Sequence, residues 1–458
     1  MNTYISPPVE PDETLLALAK ALALSLVPRT PEANSLVEHV FNQVVALEAP
    51  DRERQRRSGL APLRRAVGAL VGGALRCWAG AVPSYVYQPV SPNTFSGLSV
   101  SYRHFASARD ALVALGYIGM TPGIRFPAAD FGDGPIWAGR ASRFWPTDKL
   151  LKLAEAHGLP AGAVKQAFKA DPPRTPPKIP ELVELRDFSQ RKNGQKVQGR
   201  PLPINPNDPV YQKIKRETEA HNAYAETIEV TGCIPPRWYR VFTADWRLQA
   251  RWYAAGNDKT AAYLTMHEED RINDIHINGE SVVEVDVSSS QLAILHGLLG
   301  KPLPDGDLYD VVPGTDRKIV KLWMTISLGR GKMLSTWSRD TAEKIKKACD
   351  PHAIHAGMLR TYPFLAEMSS IIPDDLRAAY GTHMDRLVSL YLQGIEARAI
   401  SGAIAYVRAA GHLALPTHDG LIVPASAEKA AKAGLEGSYR HVAKIIPRLE
   451  VERPSRGS

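Results

Sequence analysis

With 458 residues the chain has room for two to four domains, and 44% hydrophobic residues is ample for packed cores. Three widely separated cysteines, Cys77, Cys233 and Cys349, exclude a disulfide-stapled scaffold and point to a reducing cytoplasm. A formal net charge of +8 suits a polyanionic partner without requiring one.

Residues 1–97 read as a mainly helical region. Pro11-Asp12-Glu13 opens an apolar run, Leu15 to Val27, which is expected to be a buried helix. It follows acids instead of a basic leader, contains Lys20, and falls short of the roughly 20 residues a membrane span needs, so no membrane partner is expected. Arg52, Arg54, Arg56, Arg57, Arg64 and Arg65 form a basic patch between apolar runs.

Residues 98–165 follow a different pattern. An apolar helix over Ala106–Leu115 precedes a strand-like Tyr117–Phe126, a glycine-rich tip at Asp130–Pro135, a returning Ile136–Phe144, and a helix begun by Pro146-Thr147. Helix, hairpin and helix in this order resemble a winged-helix DNA-binding module. Arg140 and Arg143 lie on the returning arm beside Trp137, Phe144 and Trp145, a mixture suited to phosphate contacts. A small hairpin packed on its own aromatics fits the same residues, and the sequence leaves both readings open.

Residues 166–235 read as a linker and a helical, thumb-like region. Asp171-Pro-Pro-Arg-Thr-Pro-Pro-Lys-Ile-Pro180 predicts a stiff extended connector, Arg191 to Lys196 an exposed basic turn, and Val210–Ile228 a charged amphipathic helix. The N-terminal half lacks the acidic cluster of a proofreading nuclease, and no phosphate loop ending in Gly-Lys-Ser/Thr is present.

Residues 236–458 carry the chemistry. Asp245-Trp-Arg-Leu-Gln-Ala-Arg-Trp-Tyr253 comes first. Ser281-Val-Val-Glu-Val-Asp-Val-Ser-Ser-Ser-Gln291 then joins a β-branched strand, Asp286 at its end, and a helix opening. Asp316 to Gly329 predicts a helix with Arg317, Lys321 and Thr325 on one face, opposite a packed stripe. Leu392-Gln-Gly-Ile-Glu-Ala-Arg-Ala399 predicts another helix, and Leu415-Pro-Thr-His-Asp-Gly-Leu-Ile-Val423 two short strands meeting at His418-Asp419-Gly420. Taken singly, Asp286 reads as a helix N-cap and His-Asp-Gly as a hairpin turn. Apolar sequence on both sides of each acid implies carboxylates at the edge of a buried sheet, an expensive placement unless something pairs with them.

Together these motifs resemble the family A DNA polymerases and the related single-subunit phage RNA polymerases. Asp286, the Arg317 and Lys321 helix, and His418-Asp419 stand in the family's order, with Lys321 35 residues after Asp286 and 98 before Asp419. The resemblance covers about residues 235–445 and implies an α+β fold: a right-hand palm with short helical fingers, attached to the helical N-terminal region. It further implies that Asp286 and Asp419 hold two Mg2+ ions, with Mn2+ as a substitute, and that Arg317 and Lys321 face the triphosphate of a bound nucleotide. Arg247, Arg251, Tyr253, Gln393 and His418 would contact template and primer.

Departures from the family pattern shape the expected substrate. The position eight residues beyond Lys321 is Gly329, preceded by Leu328, where the family usually has tyrosine, so with Thr325 these residues would line an unusual sugar pocket. Gln291, five residues after Asp286, keeps the bulk of the family glutamate that excludes a ribose 2′-hydroxyl but not its charge, which favours deoxynucleotides. Gly420 replaces the glutamate that usually follows His-Asp. The expected activity is template-directed nucleotidyl transfer, foremost as a DNA-dependent DNA polymerase acting beside other replication proteins. RNA synthesis or priming, and a non-catalytic winged-helix replication factor, are the alternatives.

Overall fold

Apolar side chains gather into two large cores, one drawn from Leu16 to Phe168 and the other from Phe188 to Ala443, while the proline-rich stretch 171–179 between them forms neither helix nor strand. The computed structural model describes residues 3–8, 10–48, 59–80, 82–130, 135–179, 181–192, 195–256, 258, 260–337, 341 and 343–454. Helices and several small sheets are mixed along the chain, an α+β arrangement.

In the first core, α1 (Pro31–Glu48) and α2 (Leu60–Trp78) pack together. β1 (Val86–Gln88), α3 (Tyr102–Ala114), β2 (Ile118–Thr121), β3 (Ile124–Asp130), β4 (Pro135–Arg140), β5 (Ser142–Pro146) and α4 (Asp148–Ala156) follow. The expected helix over Leu15–Val27 is largely replaced by extended chain. Asp12 caps only Glu13–Ala17, accepting from the Leu15 N–H at 3.0 Å. Beyond it Leu22, Leu24 and Leu26 enter the core at every second position, the period of a strand and not of a helix. The sequence boundary at 97/98 falls inside this core, where α2 packs on α3.

The helix, hairpin and helix order is present, but the hairpin is divided: β5 pairs with β1 and β2, while β3 and β4 pair with each other. Phe144 and Trp145 are core residues. Residues 131–134 at the tip, and Arg52, Arg54, Arg56 and Arg57, lie outside the described residues.

The second core is built on two sheets. β6 (Val183–Arg186) precedes α5 (Pro209–Ala225) and pairs in parallel with β7 (Trp238–Thr243), which pairs antiparallel with β8 (Arg251–Ala254). Beyond α6 (Glu268–Asp274) comes β9 (Glu280–Val287), the central strand of the larger sheet. α7 (Ser290–Leu298), α8 (Arg317–Gly329), α9 (Met384–Ala409), β10 (Leu415–Pro416), β11 (Gly420–Pro424), α10 (Glu428–Ala443) and β12 (Leu449–Glu452) complete it. β9 has β11 along one edge and β12 along the other, both antiparallel, with β10 outside β11. Val282, Val283, Val285 and Val287 bury this strand, and α9, α10 and α7 pack against one another.

Candidate active site

Asp286 lies near the end of β9, directly across from Gly420 on β11. The Val287 N–H donates to the Asp419 carbonyl at 3.0 Å, which fixes the two acids on neighbouring strands. The pairing needs a residue without a side chain at 420, since a Cβ there would stand 1.9 Å from Asp286 Oδ1 and 2.5 Å from the Val285 carbonyl. Gly420, the departure from the family pattern, therefore makes room for the Asp286 carboxylate. Thr417 also reaches it, its hydroxyl donating at 3.4 Å.

Strand alternation adds acids that the motifs did not reveal. On β12, Glu450 stands opposite Asp286 and Glu452 opposite Glu284, so like charges face each other across adjacent strands. Glu284 is 2% exposed and is held by three hydrogen bonds of 2.7–3.0 Å from Arg271 on α6. Burial, Glu284 and Asp419 together push the Asp286 carboxyl up to about 8. Asp419 is exposed at the hairpin tip yet crowded by protein; desolvation raises its carboxyl, and Arg251 and Lys321 oppose the rise. The alternation of Leu449-Glu-Val-Glu452 was the available signal for β12, although its partner residues on β9 lie more than 160 positions earlier in the sequence.

A second unforeseen residue is Glu396. Although 2% exposed, its carboxylate accepts from the Ser290 hydroxyl at 2.6 Å and from Arg251 at 2.9 Å, and the Tyr439 hydroxyl lies 2.9 Å from that of Ser290. Arg251 is thus anchored from behind while its charge acts on Asp419. His418, beside it, is half-buried and held down to about 4 by burial and by Arg251, so its ring is neutral near pH 7.

On α8, Asp316 caps the helix by accepting from the Lys318 N–H at 2.7 Å. Arg317, Lys321 and Thr325 are exposed on one side, with Val320, Trp323, Met324 and Leu328 buried on the other. Lys321 bears on Asp419 electrostatically. Arg317 is ion-paired to Asp307 and lies over the Tyr309 ring at 5.9 Å. Thr325 donates back to the Lys321 carbonyl at 2.8 Å. Leu328 is a core residue, Gly329 is exposed, and Gln291 is half-buried on the first turn of α7.

A cleft of about 650 Å3 brings together Arg251, Tyr253, Gln393 and Gly329. Gln393 donates to the Ser389 hydroxyl at 3.1 Å, and Tyr253 meets His418 edge-on at 5.9 Å. Arg247 points elsewhere, held by Asp245 at 2.9 Å and Asp375 at 2.7 Å. Arg143 and Arg140, expected as contacts on the hairpin arm, do not line this cleft. Arg143 donates to the carbonyls of Leu16 and Ala141 at 3.0 and 2.7 Å, and Arg140 pairs with Glu13 at 3.3 Å, the arrangement of a hairpin tied to its own core.

Among the described residues no group of three or more His, Cys, Asp or Glu side chains converges as a metal cage. Asp286 and Asp419 offer hard oxygen donors on adjacent strands, with Glu450 and Glu452 facing the same strand from β12. That donor set fits a divalent ion that keeps several of its waters. No helix among the described residues is long and apolar enough to cross a membrane.

No protein-family model and no curated protein matches the chain. Among solved structures, the POL domain of Pol1 from M. smegmatis, in complex with DNA primer-template and dNTP, aligns with a TM-score of 0.31 at 11% identity, covering 96% of this chain and 67% of that one.

Proposed function

We propose that the protein catalyses template-directed nucleotidyl transfer, adding deoxynucleotides to a DNA primer. One observation carries this reading: Asp286 and Asp419 are adjacent across β9 and β11, with Gly420 leaving space for the first and the Lys321 charge acting on the second. Asp286 and Asp419 would hold Mg2+ or Mn2+. When bound, such ions stabilise the attacking and leaving oxygens of an in-line displacement at phosphorus. Lys321 would oppose the charge gathering on the departing pyrophosphate, a fixed electrostatic role. Arg251, anchored by Glu396, faces the cleft beside the pair and would position the primer end. Gln291 would crowd a ribose 2′-hydroxyl.

Incubation with magnesium, primed DNA and labelled deoxynucleotides tests the proposal. Primer extension is expected, and Asp286→Asn or Asp419→Asn should each nearly abolish it while DNA binding persists. A wild type that binds DNA yet incorporates neither deoxy- nor ribonucleotides overturns it. That outcome would favour a second reading, a nucleic-acid binder without turnover, which the capture of Arg317 by Asp307 supports.

A further inference from the structure

A second cavity lies between the two cores. At about 390 Å3 it has the size of a small-molecule site. One wall comes from the first core: Leu22 and Leu24 of the extended segment, Tyr87 of β1, and Leu98 beyond that strand. The other wall is the turn that follows β8 in the second core, with Asp258 and Thr260.

Asp258 is 5% exposed. Its Oδ1 accepts from the Thr260 N–H at 3.0 Å and from the Thr260 hydroxyl at 2.6 Å, while its carbonyl accepts from the N–H groups of Ala261 and Ala262 at 3.1 and 2.9 Å. These bonds make the turn, and an asparagine would make them as well. The other carboxylate oxygen, Oδ2, is buried and has no hydrogen-bond partner. A buried, unpartnered acid oxygen is costly, and the turn does not require it.

The walls limit what could complete this oxygen. Mg2+ or Ca2+ needs about six oxygen ligands, and here one free acid oxygen faces largely apolar walls. An anion would be repelled by the carboxylate. A compound with a cationic donor at one end and an apolar body at the other fits both parts, the donor for Oδ2 and the body for Leu22, Leu24, Leu98 and the half-buried Tyr87 ring. Arg143, whose guanidinium lies 5.1 Å from the centre of that ring, donates instead to the Leu16 and Ala141 carbonyls.

We infer that this cavity is a binding site for a small primary amine with an apolar or aromatic body, its ammonium donating to Asp258 Oδ2. A charge-assisted bond in a place shielded from water is stronger than a neutral one, so the site distinguishes an amine from an alcohol of the same shape. The cavity shares no lining residue with the cleft beside Asp419. The inference therefore goes beyond the proposed function and does not depend on it.

Isothermal titration of the full chain with tyramine, and with its neutral isostere tyrosol, tests it in EDTA without nucleic acid. Wild type should bind the amine about tenfold more tightly than the alcohol. Asp258→Asn keeps an acceptor for Thr260 but carries no charge, so it should weaken tyramine by about that factor, leave tyrosol nearly unaffected, and erase the preference. Leu98→Trp, which leaves the acid in place and adds bulk to the cavity wall, should weaken both compounds. Thermal melting of each variant checks that its fold is intact. No saturable binding of tyramine, equal affinity of wild type for amine and alcohol, an amine preference that survives in Asp258→Asn, or full affinity in Leu98→Trp would each overturn the site. Primer extension plays no part in this readout, so either reading can fail while the other stands.

Discussion

Two single positions show how residue chemistry and geometry meet. Gly420→Ala places a methyl group where the Asp286 carboxylate sits, so either β11 or the carboxylate must move. We expect a loss of stability of about 1–3 kcal/mol from the forced overlap. Primer extension should fall roughly 100-fold, since a displacement near 1 Å at a reacting centre has that effect. Thermal melting and extension rates measured together check it, and an active Gly420→Ala would show that the close approach is dispensable. The second position is His221, fully buried against the rings of Trp238 and Trp252, with Nε2 bonded to the Ala414 carbonyl at 3.0 Å and Nδ1 without a partner. Burial holds its pKa down to about 3, below the ordinary value near 6.5. Between those values the unfolded chain binds a proton that the folded chain refuses, so stability falls as pH drops below about 6.5 and stops falling near 3, by about 1.4 kcal/mol per pH unit. His221→Gln keeps a donor for Ala414 but cannot titrate. The stability gap between it and wild type should shift with pH in that window, and a constant gap would refute the assignment.

At the scale of elements, α9 illustrates how a motif can have a packing cause. Gly394, which follows Gln393, lies under the loop between β7 and β8, and a Cβ there would stand 1.8 Å from the Arg247 carbonyl. That loop already holds Ala244, Gln249 and Ala250 at φ of 60°, 65° and 55°, a backbone that side-chain-bearing residues rarely adopt. Gly394→Ala should therefore destabilise the fold by about 1–3 kcal/mol and expose Arg247 to early proteolysis. Chemical denaturation and trypsin cleavage mapping would detect both, and unchanged values would count against this packing role. Strands β9 and β11 and helix α8 were legible in the sequence because each contains its own pattern: valines and an acid, a hairpin turn, an apolar stripe opposite two cations. β6 was not, since a four-residue strand gains its identity only from pairing with β7, more than 50 residues later. Glu396 and Glu450 were missed for the same reason, as their importance comes from Arg251, Ser290 and Asp286, which distant segments bring to them.

For the whole molecule, the junction between the two cores is ionic. Lys165 reaches Glu269 at 2.9 Å and Asp270 at 3.6 Å, Arg76 reaches Asp270 at 3.5 Å, and Lys169 reaches Asp274 at 3.2 Å. All three acids lie on α6, the helix that also delivers Arg271 to Glu284. These pairs are partly exposed and contribute about 0.2–1 kcal/mol each, and salt screens them. Raising salt from about 0.1 M to about 1 M should speed protease cleavage within 171–179, and Lys165→Glu with Lys169→Glu should do so at low salt. Cleavage indifferent to both would show that the junction is held by other contacts.

The face formed by Glu284, Asp286, Glu450 and Glu452 has a consequence for endurance as well as for chemistry. A sheet whose central strand and edge strand β12 carry facing acids is less robust than its buried valines would allow, and natural chains give up stability in this way where activity requires it. Relief can come from a ligand or from mutation. Glu450→Gln should melt above wild type in EDTA, and the difference should narrow as magnesium is added, because an ion that binds only the folded chain stabilises it by mass action. A lineage freed from any need for the ion would drift toward such replacements and grow hardier with each one.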